Sequence, residues 1–409
     1  MPYSRVAHKY AINAHIINYN TGDSEDYSDY LYGIAIKNDF SDKTFQQYRV
    51  LFKITEEQKN YLAQNNFYIL LKFSRINALT DDTNENNDSD SSDPIIDKEL
   101  YSITLRPINP NKSIKLHIQT DVENNRNEQE AIREMVGFDC IPKEELVINN
   151  SIINECYSNA NLMEILINSI SSVYTKDLYL EESYNTERYD DLLLPPQGLI
   201  PTLKYIHSNY GIYKNSFKVF FTPDKLYIYD IFNDDLSKSN LITIDISAYD
   251  DADTGNEKYA YVNVDENDNI QKYTNSNLPV LSNKDIIGYG MGDQIVYNSY
   301  DDAYNLISRT LNTNNELNNN DKKTRYRWNS DIYSEFEQRE TKVIYYSTML
   351  SLTNVDFTLI KPTTKIQING SSNELLNGIY SILGCEVFLS TQDKKKYNGN
   401  VSLFIGKIK

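Results

Sequence analysis

The sequence has few cysteines, one tryptophan and no long apolar run. Its 409 residues include three cysteines, Cys140, Cys156 and Cys385, an odd number without Cys-x-x-Cys spacing. This pattern argues against a disulfide framework or a zinc ribbon and favours synthesis in a reducing cytoplasm. No stretch approaches the roughly 20 apolar residues of a membrane-spanning helix, and the first residues lack the apolar region of a signal peptide. The sequence therefore predicts no membrane insertion.

Basic residues are also scarce relative to acidic ones. Forty lysines and arginines stand against 58 aspartates and glutamates, which gives a net charge of −18 at pH 7. A nucleic-acid binder needs clustered basic residues to displace counterions from phosphates, so this class is disfavoured. Tyrosine, by contrast, is abundant at 34 residues, and it can bury its ring while its hydroxyl stays hydrated. The composition indicates a folded protein of several domains.

Motifs for catalysis and for ligand binding are missing. There is no Gly-x-Ser-x-Gly elbow and no His-Glu-x-x-His helix. The acidic stretches 88–93 and 265–269 lack the glycine and the final glutamate of an EF-hand loop. The glycine cluster 288–292 lacks Gly-x-Gly-x-x-Gly spacing and favours a loop that contacts a partner. We therefore expect a non-enzymatic protein with no catalytic residue, no cofactor and no metal.

The N-terminal segment has the alternation of β-strands. Five runs rich in aromatic and β-branched residues are separated by polar turns; they are residues 32–36, 48–54, 67–73, 101–105 and 114–118. The polar stretch 80–93 has no apolar anchor and is predicted to be a loop. Residues 1–118 are thus predicted to form a first, antiparallel β-barrel domain.

The next segment, residues 119–250, is predicted to be an α+β domain. Helical spacing occurs at 128–136, and a longer apolar stripe follows Asn161, which with Ser158 is a candidate N-cap. Another helix is expected to start near Pro201 and to end at Gly211 with a positive φ. Thr222-Pro-Asp-Lys225 has the residues of a hairpin turn.

The remaining sequence is predicted to contain a polar insertion and a second barrel. Residues 251–335 are polar, with weak strands such as 259–264 and an asparagine run at 312–320. Strong strand patterns return after 341, so residues 336–409 are predicted to be the second β-barrel segment. The predicted fold class is β-rich α+β: two antiparallel tube-like barrels with an inserted α+β domain and long polar loops.

Residues 192–231 read as two prolines, a short helix, Tyr-Gly-x-Tyr and a hairpin, and residues 357–382 contain a proline between strands followed by Gly-x-Tyr. With these motifs the two segments resemble the baseplate hub proteins of contractile-tailed bacteriophages, the group that includes late control protein D and the N-terminal part of VgrG. The structural markers of this resemblance are Pro195, Pro196, Tyr205, Tyr210, Gly211, Tyr213, Pro362, Gly378 and Tyr380.

The resemblance implies a virion structural protein of the tail baseplate, assembled in the host cytoplasm. It implies a homotrimer whose two barrels per chain form a six-fold-like ring between the tail tube protein and the central spike protein, beside other baseplate proteins. DNA would be passing cargo, and acidic residues in the channel would repel its phosphates.

Two other functions stay open at this stage. Tyrosine-rich β domains could make the chain a tail-associated or cell-surface carbohydrate-binding module, since aromatic rings stack on sugars. A glycosidase that uses two carboxylates is the third alternative, although no motif selects a pair among the 58 acidic residues.

Overall fold

The computed structural model describes the following parts of the chain: residues 9–64, 66–76, 96–108, 114–115, 133–183, 185–213, 216–231, 233, 241–246, 259–264, 270–275, 294–300, 306–312, 347–353, 357–369, 377–393 and 396–407. The polar stretch 80–93, the acidic stretch 265–269, the glycine cluster 288–292 and residues 313–320 of the asparagine-rich run lie outside these residues.

The described chain is mainly β-structure. Its strands are Lys9–Asn18 (β1), Ser24–Asp26 (β2), Leu31–Asp39 (β3), Gln47–Thr55 (β4), Phe67–Ile76 (β5), Ile96–Pro107 (β6), Ile114–Lys115 (β7), Arg133–Pro142 (β8), Cys156–Asn161 (β9), Asp177–Leu180 (β10), Arg188–Leu193 (β11), Lys218–Phe221 (β12), Lys225–Tyr229 (β13), Leu241–Ile246 (β14), Tyr259–Val264 (β15), Ile270–Asn275 (β16), Gln294–Tyr300 (β17), Leu306–Asn312 (β18), Ser347–Thr353 (β19), Lys365–Asn369 (β20), Gly378–Asp393 (β21) and Lys396–Lys407 (β22). Its α-helices are Glu56–Gln64 (α1), Lys143–Asn149 (α2), Leu162–Ser171 (α3) and Leu199–Tyr210 (α4). Among the described helices, none has the length and apolar character needed to cross a membrane.

Eight antiparallel strands close into a barrel. Their order around it is β1-β5-β6-β8-β4-β3-β21-β22, and β22 pairs back with β1. The alternation predicted from sequence sets which side chains point inward, because successive residues of a strand face opposite sides of the sheet. The barrel is thus built from both ends of the chain.

The inside of this barrel is packed with side chains. One apolar cluster contains buried residues of every barrel strand; examples are Tyr10, Ile12, Ile34, Val50, Leu71, Leu105, Phe138, Val387 and Tyr397. Each such side chain contributes about 1.5–3 kcal/mol when it is fully removed from water. As in other eight-stranded barrels, whose interiors side chains can fill, the lumen is a core.

The C-terminal hairpin β21–β22 belongs to two sheets at once. In the barrel, residues 384–390 of β21 pair with β3, and residues 396–398 of β22 pair with β1. Further along the same strands, β21 pairs with β20 and β22 pairs with β19. These pairings give a second sheet of order β16-β15-β14-β20-β21-β22-β19, in which β14 and β20 run parallel.

The β-rich α+β fold class is confirmed, and the structure differs from the sequence prediction in how the barrel strands are distributed. The prediction gave each β segment, 1–118 and 336–409, a barrel of its own, whereas strands of both segments close one barrel. Alternation shows which face of a strand is buried, but it does not identify a partner that is hundreds of residues away. Within residues 251–335, the weak strand predicted at 259–264 is β15, and β16 to β18 are further strands among the described residues.

The prediction of a helix at 128–136 is wrong for residues 133–136, the part of this range that the structure describes. Residues from Arg133 onward form strand β8, which pairs with β4 along its length. Val136, Phe138 and Cys140 alternate into the barrel core. Tertiary pairing therefore overrides a short helical spacing of apolar residues.

The α+β unit that lies between the barrel strands has the predicted helices and hairpin. Asn161 is the N-cap of helix α3: its side chain accepts a hydrogen bond from Glu164 N (2.9 Å), while the Glu164 carboxylate accepts one from Asn161 N (3.0 Å). Helix α4 ends at Gly211, with φ of +67°. The hairpin β12–β13 pairs with β10 in a three-stranded sheet, and β9 and β11 form a separate two-stranded ribbon.

Candidate junction and interaction surfaces

The hairpin β12–β13 is buried on both faces. Phe220, Tyr227 and Tyr229 belong to the apolar cluster of the barrel. Their sequence neighbours Val219, Phe221, Leu226 and Ile228 belong to the core of the α+β unit. Because strand residues alternate between the two faces, one hairpin can serve two cores. We name this hairpin, residues 218–229, the junction hairpin.

The junction hairpin is held against the barrel by the segment that links β3 to β4. Phe40 meets Phe220 edge to face at 4.8 Å, and Phe45 stacks on Phe221 at 4.6 Å. The backbone N–H of Phe221 donates to Thr44 O (2.8 Å), and Lys218 Nζ donates to Ser41 O (2.5 Å). These contacts fix the orientation of the α+β unit on the barrel.

A buried polar contact ties the end of the junction hairpin to the second sheet. Lys365 Nζ donates to Ile231 O and to Ser381 Oγ, each at 2.8 Å. Lys365 is only 3% exposed. A buried ammonium group needs hydrogen-bond partners to offset lost hydration, so this geometry constrains β20 and β21 relative to residue 231.

The markers of α4 and its flanks lie inside the α+β unit. The hydroxyl of Tyr213 lies 2.8 Å from Glu181 O and 3.1 Å from Ile228 O, and burial raises its pKa well above the ordinary value. Tyr210 is half-buried and meets Tyr189 edge to face at 5.0 Å. Tyr205 is half-buried against the same core. These tyrosines pack and bond within the unit.

The two prolines lie where β11 leads into α4. Pro195 is half-buried and Pro196 is exposed. On either side, Leu194 N donates to Glu155 O (2.9 Å) and Ile153 N donates to Gln197 O (2.8 Å). Proline has no N–H to donate, so it suits the two positions between the hydrogen-bonded residues Leu194 and Gln197.

The other markers lie in the second sheet and its approaches. Pro362 is buried just before β20. Gly378 begins β21 with φ of +142°, and Tyr380, fully buried in the barrel cluster, pairs with Ile366 of β20. The nine markers therefore lie in two places rather than in one pocket.

Two of the three thiols and one histidine are enclosed by the fold. Cys140 and Cys385 are buried, whereas Cys156 is exposed, and burial raises the pKa of Cys385 to about 12. A thiol in such a site is a poor nucleophile. His207 Nδ1 accepts a hydrogen bond from Ile212 N (3.3 Å), and its ring stacks on Phe217 at 4.6 Å. Within the described residues, no group of three potential metal ligands comes together.

One exposed feature of the barrel was missed at the sequence level. Tyr19, Tyr68, Arg106, Pro107 and Ile108 line a groove of about 220 Å³ at one end of β5 and β6. We name it the aromatic groove. Tyr19 is 60% exposed and Ile108 is 53% exposed. These residues are far apart in sequence, and only strand pairing brings them together.

Comparison with known proteins gives a family and similar folds. A family model described as Bacteriophage PBS1 gene 109 protein matches residues 1–407. The fold is similar to that of a tail protein from Neisseria meningitidis MC58, with a TM-score of 0.50 and 8% identity over 97% of this chain and 96% of the other.

Two further solved structures are similar over most of the chain. One is the 43 kDa tail protein of prophage MuSo2 from Shewanella oneidensis, with a TM-score of 0.44 and 7% identity over 97% of this chain and 96% of the other. The other is the E. coli c3393 protein, a component of the type VI secretion system, with a TM-score of 0.42 and 8% identity over 93% and 74%. No curated protein sequence matches this chain.

Proposed function

The chain belongs to the Bacteriophage PBS1 gene 109 protein family, and from that premise we propose that it is a structural, non-enzymatic component of a phage tail. The phage family supports this proposal, and so does the likeness in fold to a tail protein from Neisseria meningitidis MC58. The packed barrel and the burial of Cys140 and Cys385 are consistent with a scaffold.

Within the tail, we propose the role of a baseplate hub that joins the tail tube to the central spike. The observation that carries this proposal is the shared hairpin β21–β22, which fuses the barrel rigidly to a second sheet. If each chain supplies two similar β units, a ring of three copies presents six similar positions to a tube. Tail tube, spike and neighbouring baseplate proteins would be its partners after assembly in the host cytoplasm.

The second sheet would supply the second of these units. Its end strands in the described chain are β16 and β19, while β17 and β18 form a hairpin of their own. An open sheet edge carries unpaired backbone groups that favour pairing with another strand. We propose that β17–β18 helps to close this sheet, which would make residues 336–409 part of a second barrel, as expected from the sequence.

Genome passage would then run between copies of the chain. Because apolar side chains fill the barrel, DNA cannot pass through it. A channel would have to form along the axis of the ring. The chain's net charge of −18 would limit adhesion of DNA phosphates if carboxylates faced that channel.

Labelling on the particle tests the proposed role. The chain would carry a small epitope tag, and gold-labelled antibody would be located on negatively stained virions and on partly disassembled tails. We expect the label at the junction between tube and spike. Label on fibres, on the capsid or on no part of the particle would contradict the hub assignment, and fibre label would favour a carbohydrate-binding module.

A further inference from the structure

The ladders that hold the barrel strands together differ in length. β1 pairs with β5 over nine residue pairs and β4 with β8 over eight, whereas β1 with β22 and β6 with β8 have three each. We name the two short ladders the first seam (Lys9–Ala11 with Lys396–Asn398) and the second seam (Leu105–Pro107 with Cys140–Pro142). The seams divide the barrel into a three-stranded lobe, β1-β5-β6, and a five-stranded lobe, β8-β4-β3-β21-β22.

Past each seam, short strands take the place of direct pairing between the lobes. The edge of β1 that faces β22 pairs with β2 at residues 15–17, and the edge of β8 that faces β6 pairs with β7 at residues 136–137. Between these stretches of β1, Ala14 N donates to Ser28 Oγ (3.0 Å) and Ala14 O accepts from Tyr27 N (2.8 Å). Direct backbone pairing between the described strands of the two lobes is therefore concentrated in the seams.

The second seam also contains two residues that cannot donate a backbone hydrogen bond. Pro107 of β6 and Pro142 of β8 both lie in it, and proline has no N–H. One bond just past the seam, from Ile108 N to Asp139 O (2.8 Å), supports it. A short ladder opens more readily than a long one, because fewer backbone hydrogen bonds have to break.

Inside the barrel, the two lobes share one apolar core. Phe67 of β5 meets Phe138 of β8 edge to face at 5.5 Å, and both lobes contribute buried residues to the same cluster. Apolar attraction is non-directional, so packed layers can slide by small amounts while they stay in contact. Within each lobe the long ladders oppose sliding, since it would break backbone hydrogen bonds.

The three-stranded lobe also contacts the segment that leads into the second sheet. The ring of Phe357 lies 4.9 Å from that of Tyr10 on β1 and 6.4 Å from that of Phe73 on β5. Next to it, Arg75 Nη2 donates to Thr358 Oγ1 (3.4 Å). Because Phe357 and Thr358 lie shortly before β20, a displacement of this lobe would be transmitted to the approach of β20.

We propose that the three-stranded lobe moves as one body against the five-stranded lobe, by joint opening of the two seams while the longer ladders stay paired. The shared hairpin β21–β22 keeps its place in the five-stranded lobe during this movement. The wall formed by β1, β5 and β6 can then adapt its position to a neighbouring protein. The device depends on the strand pairings alone, so it does not require the proposed hub role.

Cross-links test whether the lobe moves as one body. Lys9 and Asn398 are directly opposite in the first seam, so Lys9→Cys with Asn398→Cys would place a disulfide across it. The matched control, Asn13→Cys with Lys72→Cys, joins directly opposite residues of the long β1–β5 ladder. Both pairs would be made together with Cys156→Ser, which removes the exposed native thiol.

Hydrogen exchange of backbone amides in the full-length protein, resolved to single residues by mass spectrometry, gives the readout. In the reduced form of each variant, we expect amides of both seams to exchange faster than those of the β1–β5 ladder. Oxidation of the seam pair should slow exchange at both seams to the rate of that ladder, because one movement opens both. Oxidation of the control pair should leave both seams unchanged.

Three results would overturn the lobe movement. One is exchange at the seams of the reduced proteins that is as slow as in the long ladder. Another is a cross-link that slows the first seam and leaves the second unchanged, which would show that the seams open independently. The third is a control cross-link that slows both seams. If the first pair disturbs folding when reduced, Arg106→Cys with Ile141→Cys places the cross-link in the second seam, and slower exchange at the first seam is then expected.

Discussion

At the residue scale, the ends of the helices depend on individual side chains and backbone angles. Gly211 follows α4 with φ of +67°, and its N–H donates to His207 O (2.8 Å). Asn161 and Glu164 form reciprocal hydrogen bonds at the start of α3. Both features are local, so the sequence could predict them from residue type and position alone.

Gly211→Val is expected to destabilise the protein. A left-handed conformation costs a residue with a side chain about 1–2 kcal/mol, and a β-branched residue is among the least tolerant. Asparagine tolerates this conformation better, so Gly211→Asn should lose less stability. Thermal unfolding of the three proteins provides the comparison. Equal melting temperatures for glycine and valine would show that the strain at this position is absent.

Glu145 links stability to pH. Burial raises the pKa of its carboxyl in the folded state. The folded protein therefore holds this proton more strongly than the unfolded chain, and stability falls as pH rises through the ordinary glutamate pKa of about 4.3 and up to the raised folded value. Glu145→Gln should then be more stable than the wild type at neutral pH, with the difference vanishing in acid.

Urea unfolding at several pH values checks this expectation. The exposed residue Glu57 on α1 provides a control, Glu57→Gln, on the same fold. An advantage of Glu145→Gln that is the same at acidic and neutral pH would contradict the titration and point to altered packing instead.

At the element scale, the junction hairpin connects two cores that would otherwise be separate. Its local features were predictable, because Thr222-Pro-Asp-Lys225 is a turn sequence and apolar runs flank it. That both faces would be buried could not be told from the sequence. A continuous apolar run fits a strand buried between layers and a strand in one core equally well.

Phe220→Ala is expected to weaken the junction. Phe220 is fully buried and meets Phe40, so removal of its ring should cost about 3–5 kcal/mol of unfolding free energy. Phe404→Ala on β22, where the residue is 40% exposed, should cost much less. Denaturant unfolding followed by circular dichroism measures both losses. Equal losses for the two variants would show that the hairpin does not depend on this contact.

At this scale, the sequence could predict the strands of the barrel but not the pairings that close it. The strand runs near 34, 50, 70 and 103 could be assigned from alternation, and the structure has strands at each. Their partners could not, since Asn38 Nδ2 bonds to Cys385 Sγ (3.1 Å) across 347 residues of chain. The aromatic groove depends on the same pairings, so it too was beyond reach from local patterns.

At the scale of the whole molecule, buried tyrosines predict how the protein responds to alkali. Burial raises the pKa of Tyr27 and of Tyr157 to about 12, and it raises those of Tyr48 and Tyr229 well above the ordinary value. Their stabilising contribution is complete below the unfolded tyrosine pKa of about 10 and is lost as pH rises towards the folded values.

Phenolate absorbance during alkaline titration should therefore show two groups of tyrosines. The buried group, which includes Tyr27, Tyr48 and Tyr229, would titrate only together with the loss of circular dichroism. Titration of all tyrosines in one step while the fold persists would contradict the buried hydroxyls of the barrel and the α+β unit.

The whole molecule combines one packed barrel, a second sheet fused to it and an α+β unit held between them. The hub proposal requires that several such molecules surround a common axis. Electron cryomicroscopy of the intact tail tests this most directly. The account predicts three copies around an open channel where the tube meets the spike. Copies placed away from the axis, or a ring whose only channel runs through a barrel, would contradict it.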